Sequence, residues 1–394
     1  MMDTYYRELS DKIVKCINNN TFFGKIENER THMEQHVIKN DVELLDRVLN
    51  DIGSTERKGY SQKERKAINS GFKTLDEARF NIEECMINSS KEIAKWIDGA
   101  KTHEKKDFVV PLRKEEGYDP VGYGYIVSRK TNTIDEYATD SIRVVLEQNS
   151  NSEFGFSLLT AYPDIIHAEN REPTGKDLSA IVKKTNTYQK ASPVSKAYML
   201  YQTGKNKPYL ITFKEGLNGN THDDVLSLHI PYQTKKGDEC KHIIRFKEDS
   251  IELSTSKMMK INVATWKDKY TGKEREKVIY PDEDIRKYQR EGTTIEQKDR
   301  FVKQKSFFTR HFNPKDEKAL NVDLTRKEVF EEFQKRYPDV AEIVTELSKV
   351  LNIETVGIKE KDILSKRKIE NEAVLNESLL PQEETSEQMQ FGIA

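Results

Sequence analysis

Residues 74–99 read TLDEARFNIEECMINSSKEIAKWIDG, and the chain beyond them to residue 163 follows a different period. Thr74 with Glu77 three positions later is a capping-box pair, the usual opening of a helix. Leu75, Ala78, Ile82, Cys85, Ile93, Trp96 and Ile97 recur at the spacing that lines one helix face, and Gly99 is placed to end it. After Ala100 come short β-rich runs at 108–112, 122–127, 141–146 and 155–160, separated by Gly, Asn, Asp and Ser clusters. Upstream, Asn40 and Asp41 can cap a helix whose Val42, Leu45, Leu49 and Ile52 point inward, with Gly53 as its stop and the polar stretch 53–66 as a loop. Helices first and closely connected strands afterwards predict an α+β domain, with N-terminal helices packed on an antiparallel sheet.

The chain has 394 residues, which favours two or three domains over one. Charged residues reach 34% and hydrophobic ones 35%, while 2 Trp, 17 Tyr and 16 Phe remain for cores. A net charge of −2 gives no global field that would recruit nucleic acid, so any anion site must be a local cluster of cations. Cys16, Cys85 and Cys240 are far apart and odd in number, which fits neither a disulfide framework nor a zinc site. The opening MMDTYYRELSDKIVKC lacks a basic flank followed by an apolar segment, and no run of about 18 apolar residues occurs. The expectation is therefore no signal peptide, no membrane span and no cofactor, with action in the cytoplasm and the export route left open.

The expected divisions are 1–168, a β-rich region at 169–270, a basic and helical region at 271–360, and a disordered tail at 361–394. A helix is expected over 194–202, with strands at 209–213, 225–232, 242–246 and 251–253, the last two forming a hairpin across Glu248 and Asp249. Two later helices are expected to be capped by Thr325 and Asp339. Before both of these helices, residues 267–315 are dense in Lys and Arg with Tyr288, Phe301, Phe307, Phe308 and Phe312 interleaved, interrupted by Asp282, Glu283 and Asp284. That pattern suits either single-stranded nucleic acid or a basic face over a small core.

The segment THMEQHVIKNDVELLDR (31–47) carries the chemistry. If it is helical, His32 and His36 lie one turn apart, and Arg47 follows on the next element. Imidazole exchanges protons near neutral pH, and guanidinium offers a fixed fork of donors to phosphate. The same histidine spacing could ligate zinc, but no HExxH glutamate and no cysteine accompany it.

His36-Val37, Asp41, Leu44 and Arg47 resemble a block of the bacterial ribonuclease A-like toxin domain of contact-dependent inhibition proteins. Further blocks follow in that family's order: Ser70-Gly71-Phe72 with Glu77-Ala78, Ile93 with Trp96, Val121-Gly122, Ser141 to Leu146, and Gly155-Phe156 leading to Thr160-Ala161-Tyr162-Pro163. The resemblance spans roughly residues 25–165.

It implies a ribonuclease A-like toxin fold and a metal-independent endoribonuclease that forms a 2′,3′-cyclic phosphate. His36 would be the acid/base and Arg47 the phosphate clamp. Thr160 and Tyr162 would be hydroxyl donors, with His32 a further candidate. Thr160 and Tyr162, two apart in a strand, share a face. The implied partners are RNA, possibly tRNA, and a cognate immunity protein. The rival reading is a non-catalytic RNA-binding or structural accessory protein of a mobile element. The alternative for Arg47 is a pair with Asp46 or Glu43 alone, and the basic residues Arg57, Lys58, Lys63, Arg65 and Lys66 belong to a loop that either touches RNA or is simply solvated. The remaining histidines, His167 and His242 among them, read as structural, and the 143–146 strand as core.

Overall fold

The computed structural model describes residues 2–37, 40–57, 68–112, 119–128, 133–205, 207–217, 220–280 and 283–353. The fold is α+β. Helices α1 (Met2–Asn18), α2 (Phe23–Ile26) and α3 (Asp41–Arg57) precede strand β1 (Ile68–Gly71) and the long helix α4 (Leu75–Gly99). Strands β2 (Lys105–Pro111), β3 (Gly122–Ser128), β4 (Thr133–Thr139), β5 (Ser141–Gln148), β6 (Phe156–Pro163) and β7 (Arg171–Pro173) follow. They form two antiparallel sheets, β1-β3-β4-β7 and β2-β5-β6.

Helix α4 begins as the sequence indicates, with the Thr74 side chain accepting from the Glu77 backbone N–H and Ala100 closing it after Gly99. Its inward face, including Ala78, Ile82, Cys85, Ile93 and Trp96, packs with α1 and with Ile142, Val144, Leu146, Phe156 and Leu158 of the β2-β5-β6 sheet. Where the two sheets meet, a Cβ on Gly124 would lie 2.5 Å from the Asn69 carbonyl oxygen, and one on Gly122 would lie 2.2 Å from Pro163 Cγ. Glycine at both positions lets β3 lie against β1 and the end of β6.

Helix α3 runs past Gly53 to Arg57, where a loop was expected. A glycine in a helix interior costs only about 1 kcal/mol, less than tertiary packing of the helix supplies. Residues 58–67, including Lys58, Lys63, Arg65 and Lys66, lie outside the described residues, as does the expected tail at 361–394.

The elements just after residue 168 pack on the first unit. Strand β7 pairs with β4, and α5 (Ser179–Val182) and α6 (Asn186–Lys190) lie against α3. Thr187 donates its hydroxyl and its backbone N–H to Asp46 Oδ1 at 2.6 and 2.8 Å. Helix α7 (Pro193–Thr203) faces two ways. Met199 and Leu200 join Leu44, Leu45, Val48, Leu49, Tyr125 and Ile134, while Val194, Ala197, Tyr198 and Tyr201 join the core of the following sheet.

That sheet has seven strands: β8 (Leu210–Lys214), β9 (Val225–Gln233), β10 (Glu239–Phe246), β11 (Ile251–Lys267), β12 (Glu274–Ile279), β13 (Thr293–Gln304) and β14 (Asn321–Asp323). The β10–β11 hairpin is present, but β11 is 17 residues long rather than three, because polar residues in alternation continue it beyond the apolar start at Ile251–Leu253. One sheet face packs on α7, α8 (Phe307–Phe312), α9 (Lys327–Arg336) and α10 (Pro338–Val350). The last two helices start at Arg326 and Tyr337 rather than at Thr325 and Asp339. The Thr325 hydroxyl is committed to Asp323 at 2.7 Å, and Pro338 fixes the first turn of α10 one residue before Asp339. No described helix is long and apolar enough to cross a membrane.

Candidate active site

Residues 31–37 are held in an extended course broken by one tight turn, rather than in the α-helix expected for His32–His36. Met33–His36 is a single 3-10 turn with His32 at its cap. It is pinned on both sides: the Thr31 hydroxyl donates to the Leu158 carbonyl at 2.6 Å, and His32 N–H to the Leu159 carbonyl at 3.1 Å. On the other side Phe72 N–H donates to the His36 carbonyl at 2.8 Å, and Val37 bridges Phe72. Buried Met33 anchors the turn below. His36 thus stands at the junction of β6 and the end of β1, which accounts for the Ser70-Gly71-Phe72 block lying near it.

The His36 ring lies 5.1 Å from the Tyr162 ring, tilted by 35°. Burial lowers its pKa below the ordinary histidine value, a hydrogen bond with the Ser70 backbone opposes this, and the nearby His32 and Arg47 charges lower it further. The neutral imidazole is therefore favoured at neutral pH. His32 is close enough to be felt, and its Nδ1 is 3.1 Å from the Arg30 carbonyl oxygen.

Arg47 sits on the second turn of α3, which Asn40 opens by accepting from Glu43 N–H at 2.9 Å. Its Nη1 donates to the Gln35 carbonyl and its Nη2 to Glu43 Oε1, each at 2.5 Å. The Glu43 pair is one of the two weighed from sequence; the other, Asp46, is occupied by Thr187. The bond to Gln35 ties α3 to the turn that carries His36.

Thr160 and Tyr162 lie on β6. Thr160 is only 8% exposed, and its hydroxyl has no hydrogen-bond partner among the described residues. Burial raises the Tyr162 pKa, with Arg143 lowering it and Asp164 raising it, so the phenol stays protonated and able to donate.

The sequence missed a second group beside Tyr162. Arg143 is register partner to Tyr162 across β5 and β6. Its Nε and Nη2 lie 2.9 and 2.7 Å from Asp164 Oδ2, its Nη2 lies 2.7 Å from His167 Nδ1, and its Nη1 reaches Asp107. Burial would raise the pKa of Asp164, but the His167 N–H, Arg143 and the Ile166 N–H together hold it below the ordinary value. The 143–146 strand is thus core only on the side of Val144 and Leu146. The alternation of apolar and polar residues from Ile142 was the signal that Arg143 faces away from it. His167, read as structural, touches the same carboxylate at 3.4 Å. Among the described residues, no three His, Cys, Asp or Glu side chains gather as a metal site would require.

Residues 31–163 match the family model described as the bacterial CdiA-CT RNAse A domain. The match covers the same part of the chain as the resemblance read from its sequence blocks. No curated protein matches. A crystal structure of a CdiA-CT/CdiI complex from Y. kristensenii 33638 is similar at 18% identity, over 34% of this chain and 96% of that one, with a TM-score of 0.25.

Proposed function

We propose that this ribonuclease toxin domain is a metal-independent endoribonuclease and that His36, Arg47, Thr160 and Tyr162 carry its chemistry. The observation that bears most weight is the seating of the His36 imidazole against Tyr162, held mostly neutral, with Arg47 within electrostatic reach. A neutral imidazole can take the proton of a ribose 2′-hydroxyl. The 2′-oxygen then attacks phosphorus, the bond to the 5′-oxygen breaks, and that oxygen leaves with a proton from the site. The products are a 2′,3′-cyclic phosphate and a 5′-hydroxyl. Charge gathers on the non-bridging oxygens during attack, where a guanidinium and neutral hydroxyl donors lower the barrier. The open Thr160 hydroxyl and the protonated Tyr162 suit that task, and His32 is a second proton-transfer candidate.

The substrate in this reading is RNA, tRNA included, and the domain acts in the cytoplasm of a cell that lacks its immunity protein. Incubation with total RNA in EDTA tests it. Cleavage with cyclic or 3′-phosphate ends is expected, whereas products ending in 3′-hydroxyl, or a requirement for added Mg²⁺, would exclude the mechanism.

A further inference from the structure

Helices cover one face of the seven-stranded sheet. Ile211, Leu226, Leu228, Ile230, Ile244, Phe246, Ile251 and Leu253 point to the helices, so the residues between them point the other way. On that second face Leu210, Thr212 and Lys214 of β8 are exposed.

Its centre is cationic. Ser256 of β11 is register partner to Lys241 on one side and to Lys303 on the other, so two lysines flank a serine in one row, about 10 Å apart across three strands. Arg245, four residues along β10 from Lys241, points to the same face, where its Nη1 donates to Ser254 at 3.1 Å. Lys247 follows in the same alternation and pairs with Glu252 at 2.8 Å. The cations therefore lie around Ser254, Ser256 and the buried Ile243.

What surrounds them is mostly more positive charge. Burial lowers the pKa of Lys241, and Arg245 lowers it further, with no carboxylate acting against either effect. For Lys303, burial, Arg245 and Lys247 act downward and only Glu252 acts upward. His229 on β9 is driven to about 4 by burial, Lys241 and Arg245, and so adds no charge at neutral pH. The outer part of the same sheet is built differently. There Glu276 binds both Lys298 and Arg300, Asp268 takes Arg275, and Asp284 takes Arg286. Part of the basic stretch singled out in the sequence is thus paired with its own carboxylates, while the one carboxylate acting on Lys303 is Glu252, which already holds Lys247.

We propose that the uncovered face of the seven-stranded sheet binds a single-stranded RNA through its phosphates, with Lys241, Arg245 and Lys303 as the contacts. A row of half-buried cations whose contacts are to neutral groups, Arg245 to Ser254, Lys303 to Asn321 Oδ1 at 3.3 Å and Lys241 to the Phe301 ring, matches a ligand whose charges repeat along its length, and the loss of mutual repulsion on binding adds to the gain from counterion release. Phe301, 38% exposed with Lys241 Nζ 4.1 Å over its ring, places an aromatic surface at the rim of the patch. The site stands apart from the chemistry proposed above and does not depend on it.

The test uses the full chain carrying His36→Ala, so that binding is read without cleavage, and the anisotropy of a short fluescently labelled single-stranded RNA across a salt series. The triple variant Lys241→Gln, Arg245→Gln, Lys303→Gln is expected to weaken binding about tenfold or more. It should also flatten the slope of log affinity against log salt by about 2, at roughly 0.7 per lost contact. The control Lys183→Gln, Lys184→Gln, Lys190→Gln removes the same charge from exposed positions just after α5 and at the end of α6 and should change neither. Because the triple variant removes repulsion, its Tm should hold or rise, and a lower Tm is answered by repeating the titration with Lys241→Gln alone at a temperature where both proteins are folded. Equal losses in control and test variants, or unchanged affinity and slope in the test variant, would overturn the proposal. So would tighter binding of poly-glutamate than of RNA, which would assign the face to an acidic protein. Cleavage by the chain with His36 intact is measured separately, so either reading can fail while the other stands.

Discussion

His36 and His242 are both imidazoles held below their ordinary pKa by burial, one in each half of the molecule, and their surroundings differ. The His242 ring stacks on Tyr232 at 4.5 Å, and its two nitrogens lie 2.9 Å from the Thr255 hydroxyl and 2.8 Å from the Tyr337 hydroxyl. Both ring nitrogens are therefore engaged. His36 instead has the Tyr162 ring against it and the Arg47 charge within reach. A lowered histidine pKa alone marks neither position as a site; what surrounds the ring has to be read with it.

The comparison breaks most visibly on cleavage. His36→Ala and Arg47→Ala are each expected to reduce RNA cleavage by about 10² to 10⁴-fold, the usual worth of a positioned proton-transfer or charge-stabilising group. His242→Gln should leave the cleavage rate of the folded protein unchanged. A loss of cleavage in folded His242→Gln as large as in His36→Ala would erase the distinction.

Stability against pH sharpens it. His242 at about 4, against about 6.5 in the unfolded chain, means that the unfolded state takes up the proton first as pH falls. The stabilisation is fully present above pH 6.5 and is lost progressively between 6.5 and 4, to the extent of about 3 kcal/mol at 1.36 kcal/mol per pH unit. Acid unfolding followed by circular dichroism should show a steeper fall over that window in the wild type than in His242→Gln. For His36 the readout is the rate: cleavage should lose its active base form only below pH 6.5 and level off above it.

A smaller effect is expected from cutting the chain. A fragment ending at residue 170 discards β7, α5, α6 and α7 and uncovers Leu44, Leu45, Val48 and Leu49. We propose that it melts lower than a fragment ending at residue 204 by about 5 °C or more in calorimetry. Equal melting would place the working boundary at 168. The least effect should come from His32→Ala, well under tenfold on cleavage, and a loss matching that of His36→Ala would make the two histidines an acid and base pair.

Much of the first half was legible because its signals are local. Thr74, Glu77 and Gly99 bound α4 through hydrogen bonds made within a few residues, and the strands at 122–127 and 141–146 announce themselves by composition. The 3-10 turn at His36 was not legible, since it is fixed by Leu158, Leu159 and Phe72, which are distant in sequence. Arg143, Asp164 and His167 were missed for a related reason: only the pairing of β5 with β6 brings them together. Helix α1 and strands β1, β4 and β7 also went unread, because β1 and β7 are only four and three residues long and take their definition from partners.

Helix α7 has a consequence for how such a chain can be recombined. A graft that cuts before it leaves Val194, Tyr198 and Tyr201 with the recipient and exposes Met199 and Leu200, which no longer have Leu45 and Val48 to cover them. A graft that cuts after it carries Met199 away correctly but tears Tyr201 from Ile211 and Leu228. Either junction leaves an apolar seam in water, so an exchange of the front unit succeeds only when the incoming partner supplies matching surfaces for both sides of one eleven-residue helix.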